Sequence, residues 1–447
     1  MTKQTISFSR KDSAKFFKTL NKRVNTYFKE NNIKKTGNWK LYLKAIVMFT
    51  LLLGPLILIL TVELPTWLQI ISMMVIGIGM AGVGMNVMHD ANHGSFSSKK
   101  WVNKLMGSSI HILAGNDYNW KVQHNVLHHT YTNIQGHDED IDAGRIIRFS
   151  KHSKWLKIHQ YQKYYAFLLY GLLTVNWAIT TDFKQTYVYL KRKLSYGKFP
   201  KPATQWTKLI IGKITYYTIW VVLPLALGYA WWQVLIGFLI MHYTAGMILS
   251  VVFQLAHVMP NTKMPVPDEE GNMKNTWAIH QLFTTSNFSP KSWLVEFYTG
   301  GLNRQVEHHL FAHISHVHYK NIAKIVKETA LTCDAFDVKT FTNNISSLLN
   351  DENLYQRKKK ESLERANYFN LSKYQDTLRE IYRTEILNKN NSYENPRLSK
   401  NINRKTRNQT SSRKEGTGES FRRSVCIHIV STILDMYEYS STHRGPP

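Results

Sequence analysis

The sequence predicts an all-helical integral membrane protein with four membrane-spanning helices in two hairpins, and three observations predict it. First, the chain is 43% hydrophobic, and its apolar residues concentrate in four long runs. Second, each run is long enough to cross the hydrocarbon core of a bilayer as a helix. Third, the runs form two pairs, and each pair is joined by a short turn without Lys or Arg.

Charged residues are almost absent from the predicted spans. The first run has 22 residues, which at ~1.5 Å per residue give about 33 Å of helix. Its one charge is Lys44, near its end, and the second run has none. Lys213 lies near one end of the third run, and His242 is the single ionisable residue of the fourth. The predicted spans are residues 41–62, 67–88, 209–229 and 231–253.

Two shorter apolar stretches are not predicted to cross the membrane. Residues 105–115 are too few to span it. Residues 165–181 are borderline in length and rich in Tyr and Trp, which is typical of segments at the membrane interface. We predict that residues 165–181 lie flat against the membrane, because a fifth span would move the chain after it to the opposite side.

The distribution of positive charge predicts the orientation. Residues 1–40 contain eleven Lys or Arg, whereas the turns of the two hairpins contain none. Because cytoplasmic loops are enriched in Lys and Arg, the N-terminus and the long loops are predicted to be cytoplasmic. Forty polar residues precede the first apolar run without a cleavage site, so we expect no signal peptide.

Three groups of histidines suggest a metal site. Neutral imidazole binds iron, zinc and copper well, and residues four apart on a helix lie one turn apart on the same face. A lone histidine is more often a structural or surface residue, but three groups on apolar-flanked segments are hard to assign to chance. Four spans place all three on the cytoplasmic side. The groups are His89 and His93; His124, His128 and His129; and Gln305, His308 and His309.

The motifs HDANH, HNVLHH and QVEHH, in that order, resemble the three histidine boxes of the membrane fatty acid desaturases. This integral membrane di-iron family includes related hydroxylases. The resemblance is strongest to the front-end acyl-lipid or acyl-CoA branch, in which glutamine opens the third box. It extends to WKVQHNVLHHTYTNIQGHDED and GGLNRQVEHHLFAHISHVHY and covers roughly residues 41–339.

The resemblance implies a cytoplasmic helical cap that holds two irons above four membrane spans. The family often takes a further ligand from the position of His257, just past the fourth span. Some relatives have a water-holding asparagine where Phe253 stands. Gln305 replaces a histidine found in many relatives, and it either ligates through oxygen or holds water or substrate. The metal ligands implied are His89, His93, His124, His128, His129, His257, His308 and His309, with Gln305 as a catalytic residue.

The activity implied is the oxygen-dependent insertion of a cis double bond into a long fatty acyl group of a lipid or an acyl-CoA. In the family, dioxygen and two electrons yield the double bond and two waters. The N-terminus lacks the HPGG heme-binding signature of a fused cytochrome domain, and no dinucleotide-binding pattern is found. Electrons are therefore predicted to come from a separate ferredoxin-like protein or b-type cytochrome. The closest alternative is a lipid hydroxylase on the same scaffold.

Other function classes fit the composition less well. The formal net charge of +27 could indicate nucleic acid binding, but no zinc-finger, homeodomain or RRM pattern accompanies it. Attraction to anionic lipid is a simpler explanation. A metal carrier would need more polar groups along its spans. The two cysteines, Cys333 and Cys426, are too few for a disulfide framework and are expected to be reduced.

The predicted domains are a basic N-terminal segment at residues 1–40, a membrane desaturase domain at 41–345 and a tail at 346–447. Between residues 353 and 423 the tail has eighteen basic and eight acidic residues, which predicts partial disorder. Its apolar stretch at 425–434 is too short to span.

Several residues near the boxes are predicted to support the site rather than to ligate. Carboxylates often orient metal-bound imidazoles. His242 lies fifteen residues before His257, about 22 Å along a helix, and is therefore predicted to form a hydrogen bond inside the bundle. The candidate carboxylates are Asp90, Glu307 and the DEDID run at 138–142; the candidate channel residues are Tyr118, Asn119 and Trp120; and His313, His316 and His318 are predicted to be supporting.

Overall fold

The structure of the protein is a computed structural model of the full chain. The structure describes residues 6–10, 13–142 and 144–333, with isolated positions between 352 and 360. The predictions for the tail, including its disorder and the stretch at 425–434, lie outside the described residues.

Four helices are long and apolar enough to cross a membrane, which confirms the predicted number. The second and fourth extend past the apolar runs at the ends that carry histidines, to Asn92 and His257. The third begins seven residues before the predicted span, at Pro202, and ends at Ala226. These helices are α2 (Trp39–Thr61), α3 (Thr66–Asn92), α9 (Pro202–Ala226) and α10 (Trp231–His257).

Glycines allow the long helices to pack closely. A Cβ atom on Gly79 of α3 would lie 2.4 Å from the backbone nitrogen of Leu52 on α2. On Gly77 it would lie 2.5 Å from the backbone oxygen of Met241 on α10. Small residues at such contacts let helix backbones approach in a bilayer, where packing replaces the hydrophobic effect as the driving force. Helix α3 is therefore held between α2 and α10.

The remaining helices are shorter and lie before, between and after the long ones. In chain order they are α1 (Ser13–Glu30), α4 (Lys100–Gly107), α5 (Asp117–Trp120, continuing as the π-helix Lys121–His128 and the turn His129–Tyr131), α6 (Gln162–Tyr170), α7 (Leu173–Asn176, continuing as the π-helix Trp177–Thr181), α8 (Asp182–Lys191), α11 (Trp277–Thr284), α12 (Trp293–Tyr298), α13 (Gln305–Leu310) and α14 (Tyr319–Thr332), with 3₁₀ turns at Ser108–Leu113, Lys157–Tyr161 and His316–His318.

A second apolar core joins the N-terminal helix to the helices around the third histidine box. Phe16 and Leu20 of α1 are buried against α11, α13 and α14. Arg23 of α1 reaches α14, where it donates to Thr329 at 2.8 Å and pairs with Glu328 at 3.3 Å. Strand β1 (Ser7–Phe8) pairs in parallel with β2 (Asn272–Met273). The basic N-terminal segment is thus packed against the rest of this core.

Residues 165–181 form two helical pieces, and the segment contacts the long helices. The segment breaks after Tyr170, and its middle part packs against α10. The prediction that it lies flat against the membrane is not tested by these contacts and stays a prediction. A Cβ atom on Gly246 of α10 would lie 2.5 Å from the oxygen of Gly171. The hydroxyl of Thr174 donates to the backbone oxygen of His242 at 3.0 Å.

Candidate metal centre

The first histidine box lies on the last turns of α3, where the helix widens into a π-helical turn. The N–H of His89 donates to the oxygen of Gly84, five residues earlier. His93 follows one ordinary turn later, since its N–H bonds to the oxygen of His89 at 3.1 Å. The two imidazole centroids are 4.7 Å apart. Short π-helical insertions re-aim side chains and recur at functional sites.

The second box also lies on π-helix, which the sequence did not predict. The N–H of His129 bonds to the oxygen of His124, again five residues earlier. The pair that meets is therefore His124 and His129, whose Nε2 atoms are 3.2 Å apart. An α-helical turn would instead have aligned His124 with His128. His128 is rotated toward α10, and its centroid is 4.6 Å from that of His257.

A double-glycine turn brings the third box to the first. Gly300 and Gly301 have φ values of +62° and +70°, in the left-handed region that glycine adopts without strain. A Cβ atom on Gly300 would lie 2.5 Å from the oxygen of Met85, on the π-helical turn of α3. This close approach places α13 beside α3, and the centroids of His308 and His89 are 4.5 Å apart.

The structure brings all eight predicted ligands together. Within each group described below, the nitrogen atoms that could bind a metal lie within 4.8 Å of one another. A metal bound at ~2.1 Å to each nitrogen would hold opposite donors about 4.2 Å apart, which is close to this spacing. The groups are His89, His93, His124 and His308; His128, His257 and His309; and His129, His308 and His309.

Four of these histidines have a hydrogen-bond partner at Nδ1. Such partners fix the tautomer and the ring orientation of metal-bound imidazoles. The Nδ1 contacts are His128 with both Asp138 oxygens at 3.1 Å, His308 with the Tyr319 hydroxyl at 3.1 Å, His309 with Gln281 Oε1 at 2.8 Å and His257 with the Thr284 oxygen at 3.3 Å.

Five of the inward Nε2 atoms have no hydrogen-bond partner among the described residues. A buried polar nitrogen without a hydrogen-bond partner destabilises the folded protein. Several such nitrogens in one cluster therefore indicate a ligand that binds them. A metal ion would accept all of these lone pairs, and the donor set therefore fits bound metal. Within the part of the chain that the structure describes, the buried Nε2 atoms without a partner are those of His89, His93, His128, His308 and His309.

The electrostatics keep most of these imidazoles neutral. Burial, and after it the neighbouring imidazoles, hold the pKa of His129, His308 and His309 well below the ordinary value. Burial also lowers the pKa of His124, to about 3. For His128, burial alone would lower the pKa, but the carboxylates of Asp138 and Asp140 outweigh it and raise the pKa. Neutral imidazoles offer the lone pair that a metal needs.

Asp90 links His89 to the first long helix. One of its oxygens lies 3.7 Å from Nδ1 of His89, and the other lies 3.0 Å from Nδ1 of His316. Nε2 of His316 lies 2.8 Å from the amine of Lys44 on α2. The hydroxyl of Ser315 also donates to Asp90, at 2.8 Å. Asp90 thus lies next to His89, and His316 next to Asp90; their supporting roles stay predictions, whereas no sequence pattern marked Lys44 for this contact.

Three other predicted neighbours have different contacts. Glu307 accepts from Asn287 at 2.8 Å and has no contact with a ligand imidazole among the hydrogen bonds of the described residues. Asn119 is buried and donates to the backbone oxygen of Asp182 at 2.8 Å, so its role is structural. Trp120 does lie at the site, stacked on His124 at 4.5 Å between centroids.

Gln305 begins α13 and is buried, with 5% of its surface exposed. Its Oε1 atom finds no hydrogen-bond partner among the described residues.

Phe253 lies one helical turn before His257, with its ring 4.9 Å from that imidazole and 5.8 Å from His128. The second group of histidines therefore has an apolar phenyl ring as its neighbour at the position where some relatives have a water-holding asparagine.

Sequence reasoning missed Gln281 and Tyr319, the partners of His309 and His308. Gln281 is fully buried on α11, and its amide also donates to the backbone oxygen of His129 at 3.3 Å. Neither residue belongs to a motif, and a single Gln or Tyr has no spacing that marks it. Only the packing of α11 and α14 against the boxes identifies them.

Comparisons with known proteins agree with the geometry. A family model described as fatty acid desaturase matches residues 65–340. An sn-1 linoleoyl-lipid 6-desaturase of Arthrospira platensis is 35% identical over 339 residues, which are 76% of this chain and 90% of that protein. A protein with the same description from Synechocystis sp. is 33% identical over 346 residues, 76% of this chain and 93% of that one. An acyl-lipid (8-3)-desaturase of Physcomitrium patens is 30% identical over 342 residues, 75% of this chain and 69% of that one.

The motifs, the four long helices, the convergent histidines and these matches have one explanation: the chain belongs to the fatty acid desaturase family and is an oxidoreductase.

Proposed function

We propose that the protein inserts a cis double bond into a long fatty acyl group, using dioxygen and two irons held by eight histidines. The observation that carries this proposal is the convergence of the imidazoles, five of which have an Nε2 atom without a hydrogen-bond partner among the described residues. Iron in such a nitrogen-rich site supplies the oxygen chemistry that an unactivated C–H bond requires, since no side chain can break that bond by acid–base or nucleophilic means. No observation favours the hydroxylase alternative.

Two of the three groups of histidines would each hold one iron. His89, His93, His124 and His308 form the first group, and His128, His257 and His309 form the second. His129 adjoins both, because its centroid lies 4.6 Å from His308 and 4.3 Å from His309.

The surrounding residues perform three tasks. Asp138, Gln281 and Tyr319 hold the proton or hydrogen bond at Nδ1, which leaves each Nε2 lone pair free for metal. Trp120 and Phe253 cover the imidazoles with apolar rings and keep water from the site. A dry site prevents loss of reactive species to solvent.

Gln305 is the proposed catalytic residue among the non-histidine neighbours. Its orphaned Oε1 atom is available either as a weak oxygen ligand or as an acceptor for water or substrate. The family resemblance associates this glutamine with insertion between an existing double bond and the carboxyl end of the acyl chain. We propose the same region of the chain as the target here.

The proposed substrate is an acyl group carried by a membrane lipid. The relatives from A. platensis, Synechocystis sp. and P. patens are named as linoleoyl-lipid or acyl-lipid desaturases, which supports a lipid carrier over acyl-CoA. We propose four spans in two hairpins, with the N-terminus and the cap that carries the metal centre cytoplasmic, as the loop charges favour. A ferredoxin-like protein or a b-type cytochrome would supply electrons.

The lipid profile of an expressing host tests this function. Gas chromatography with mass spectrometry of the fatty acids, released from separated lipid classes, will show a new cis double bond in an existing unsaturated chain. The matched control is a His124→Ala variant expressed to the same level, which will give the profile of the empty host. A new hydroxyl group, or metal uptake by proteoliposomes without any lipid change, would contradict the proposal.

A further inference from the structure

Residues 162–181 form an interrupted helical segment whose turn touches the interior of two long helices. Its break follows Tyr170, and Gly171 packs on Gly246 of α10. Three residues further along, the hydroxyl of Thr174 forms two hydrogen bonds with His242 of α10. It donates to the His242 backbone oxygen and also contacts the His242 Nδ1 atom. The hydroxyl of Tyr216 on α9 contacts the other ring nitrogen of His242.

Side chains of the long helices donate hydrogen bonds to backbone oxygens at the break and in the π-helical turn that follows it. The hydroxyl of Ser250 donates to the oxygen of Tyr170 at 3.1 Å. The amine of Lys213 donates to the oxygen of Trp177 at 2.7 Å, and the hydroxyl of Tyr217 donates to the next oxygen along the chain at 3.1 Å. Broken backbone inside a bilayer is tolerated only when protein groups satisfy it in this way.

The two long helices give independent measures of the depth of this turn. A hydrocarbon core of ~30 Å takes about 20 helical residues. Counted from the start of α10 at Trp231, the core ends near residue 250, so His242 and Gly246 lie roughly 6–12 Å inside it. Counted back from the end of α9 at Ala226, the core begins near residue 207, so Lys213 and Tyr217 lie roughly 9–15 Å inside it.

Large apolar side chains of the segment are exposed, with Asn176 and Thr180 as exposed polar residues among them. Phe167, Leu168 and Ile179 are 60%, 62% and 56% exposed, and none of these side chains is polar. These exposed apolar side chains belong to a segment that packs on α10 and α9, and exposed apolar surface of this kind indicates an apolar partner. The partner that fits such a surface is the acyl-chain region of the bilayer.

The end of the segment is tied to the metal-site side. Asp182 forms a buried ion pair with Lys213 at 2.8 Å. Asn119, the residue before Trp120, donates to the backbone oxygen of Asp182. The chain therefore returns to the side on which the histidine boxes lie, as a re-entrant segment does.

We propose that residues 162–181 enter the hydrocarbon core from the metal-site side, contact lipid acyl chains through Phe167, Leu168, Leu172 and Ile179, and leave on the same side. Lys213, His242 and Ser250 are the internal hydrogen-bond partners of this re-entrant segment. Ionisable residues within membrane helices are costly and usually mark a function, and here the function is to satisfy a broken helix.

Depth-dependent fluorescence quenching tests this inference in the full chain. Single Leu172→Cys and Ile179→Cys variants, in a Cys333→Ser, Cys426→Ser background that retains insertion and activity, carry a polarity-sensitive label in phosphatidylcholine vesicles. Brominated lipids will quench both labels, and aqueous iodide will not. Leu239→Cys on α10 serves as the reference inside the membrane, and Tyr161→Cys serves as the reference before the segment.

A segment lying on the surface would give the opposite pattern. If iodide quenches the Leu172 and Ile179 labels as strongly as the Tyr161 label, and brominated lipids do not, the proposal is overturned. A Lys213→Met variant will expose the Ile179 label to iodide at least twofold more, whereas Lys213→Arg will retain the protected pattern. If Lys213→Met fails to insert, the labels on the unaltered helices still decide the question.

Discussion

Alanine at His308 or at His128 will abolish double-bond formation and lower the bound iron from two atoms per chain toward one. Because the two residues lie in different groups of histidines, each substitution is expected to remove a ligand of a different iron in the proposed assignment. Activity will fall at least 100-fold, because loss of a direct ligand exceeds the ~10–100-fold effect of an outer partner. The measurements are the new unsaturated fatty acid by mass spectrometry and iron per chain in purified protein.

His313→Ala is the matched control. His313 follows the third box closely but is exposed and lies outside the groups of convergent nitrogens. It should keep both irons and nearly full activity, and all three variants should insert into membranes equally well. Full activity in His308→Ala or His128→Ala would refute the ligand role of that residue.

Asparagine at Asp138 will weaken iron binding ~10–100-fold without unfolding the protein. Asp138 is buried, with both oxygens 3.1 Å from Nδ1 of His128. One oxygen also accepts from the backbone N–H of Asn133 at 2.8 Å. Asparagine keeps the shape and one acceptor but removes the charge that orients the imidazole. Titration with a chelator, followed by the iron retained, measures the effect.

Asp142→Asn provides the comparison within the same acidic run. Asp142 is exposed, and its contact is with the backbone N–H of Gly144 at 3.1 Å. It should retain iron like the unaltered protein across the chelator series. Equal iron retention by Asp138→Asn and Asp142→Asn would show that the charge of Asp138 has no part in holding the metal.

The positions of the spans could be predicted because a bilayer requires long uninterrupted apolar runs. Their ends could not, since apolar composition marks only the part of a helix in contact with lipid. Helix α3 continues to Asn92 and α10 to His257, and these polar extensions carry His89 and His257 to the site. The length of a helix beyond the hydrocarbon depends on tertiary contacts.

The convergence of the candidate histidines could be predicted because their types and spacing form a motif. Their pairing could not, since the π-helical turn at Lys121–His128 leaves no mark in a short polar sequence. The partners Gln281 and Tyr319 come from distant helices, and Lys44 and Lys213 looked like ordinary charges at the ends of spans. The contacts described for all four residues are with residues that lie in other segments of the chain.

The central claim is that the imidazoles from sequence-distant segments surround two irons, and anomalous X-ray scattering at the iron edge from crystals of the purified enzyme tests it most directly. The account predicts two peaks. One would lie within bonding distance of His89, His93, His124 and His308, and the other within bonding distance of His128, His257 and His309. A single peak, or peaks away from these side chains, would contradict it.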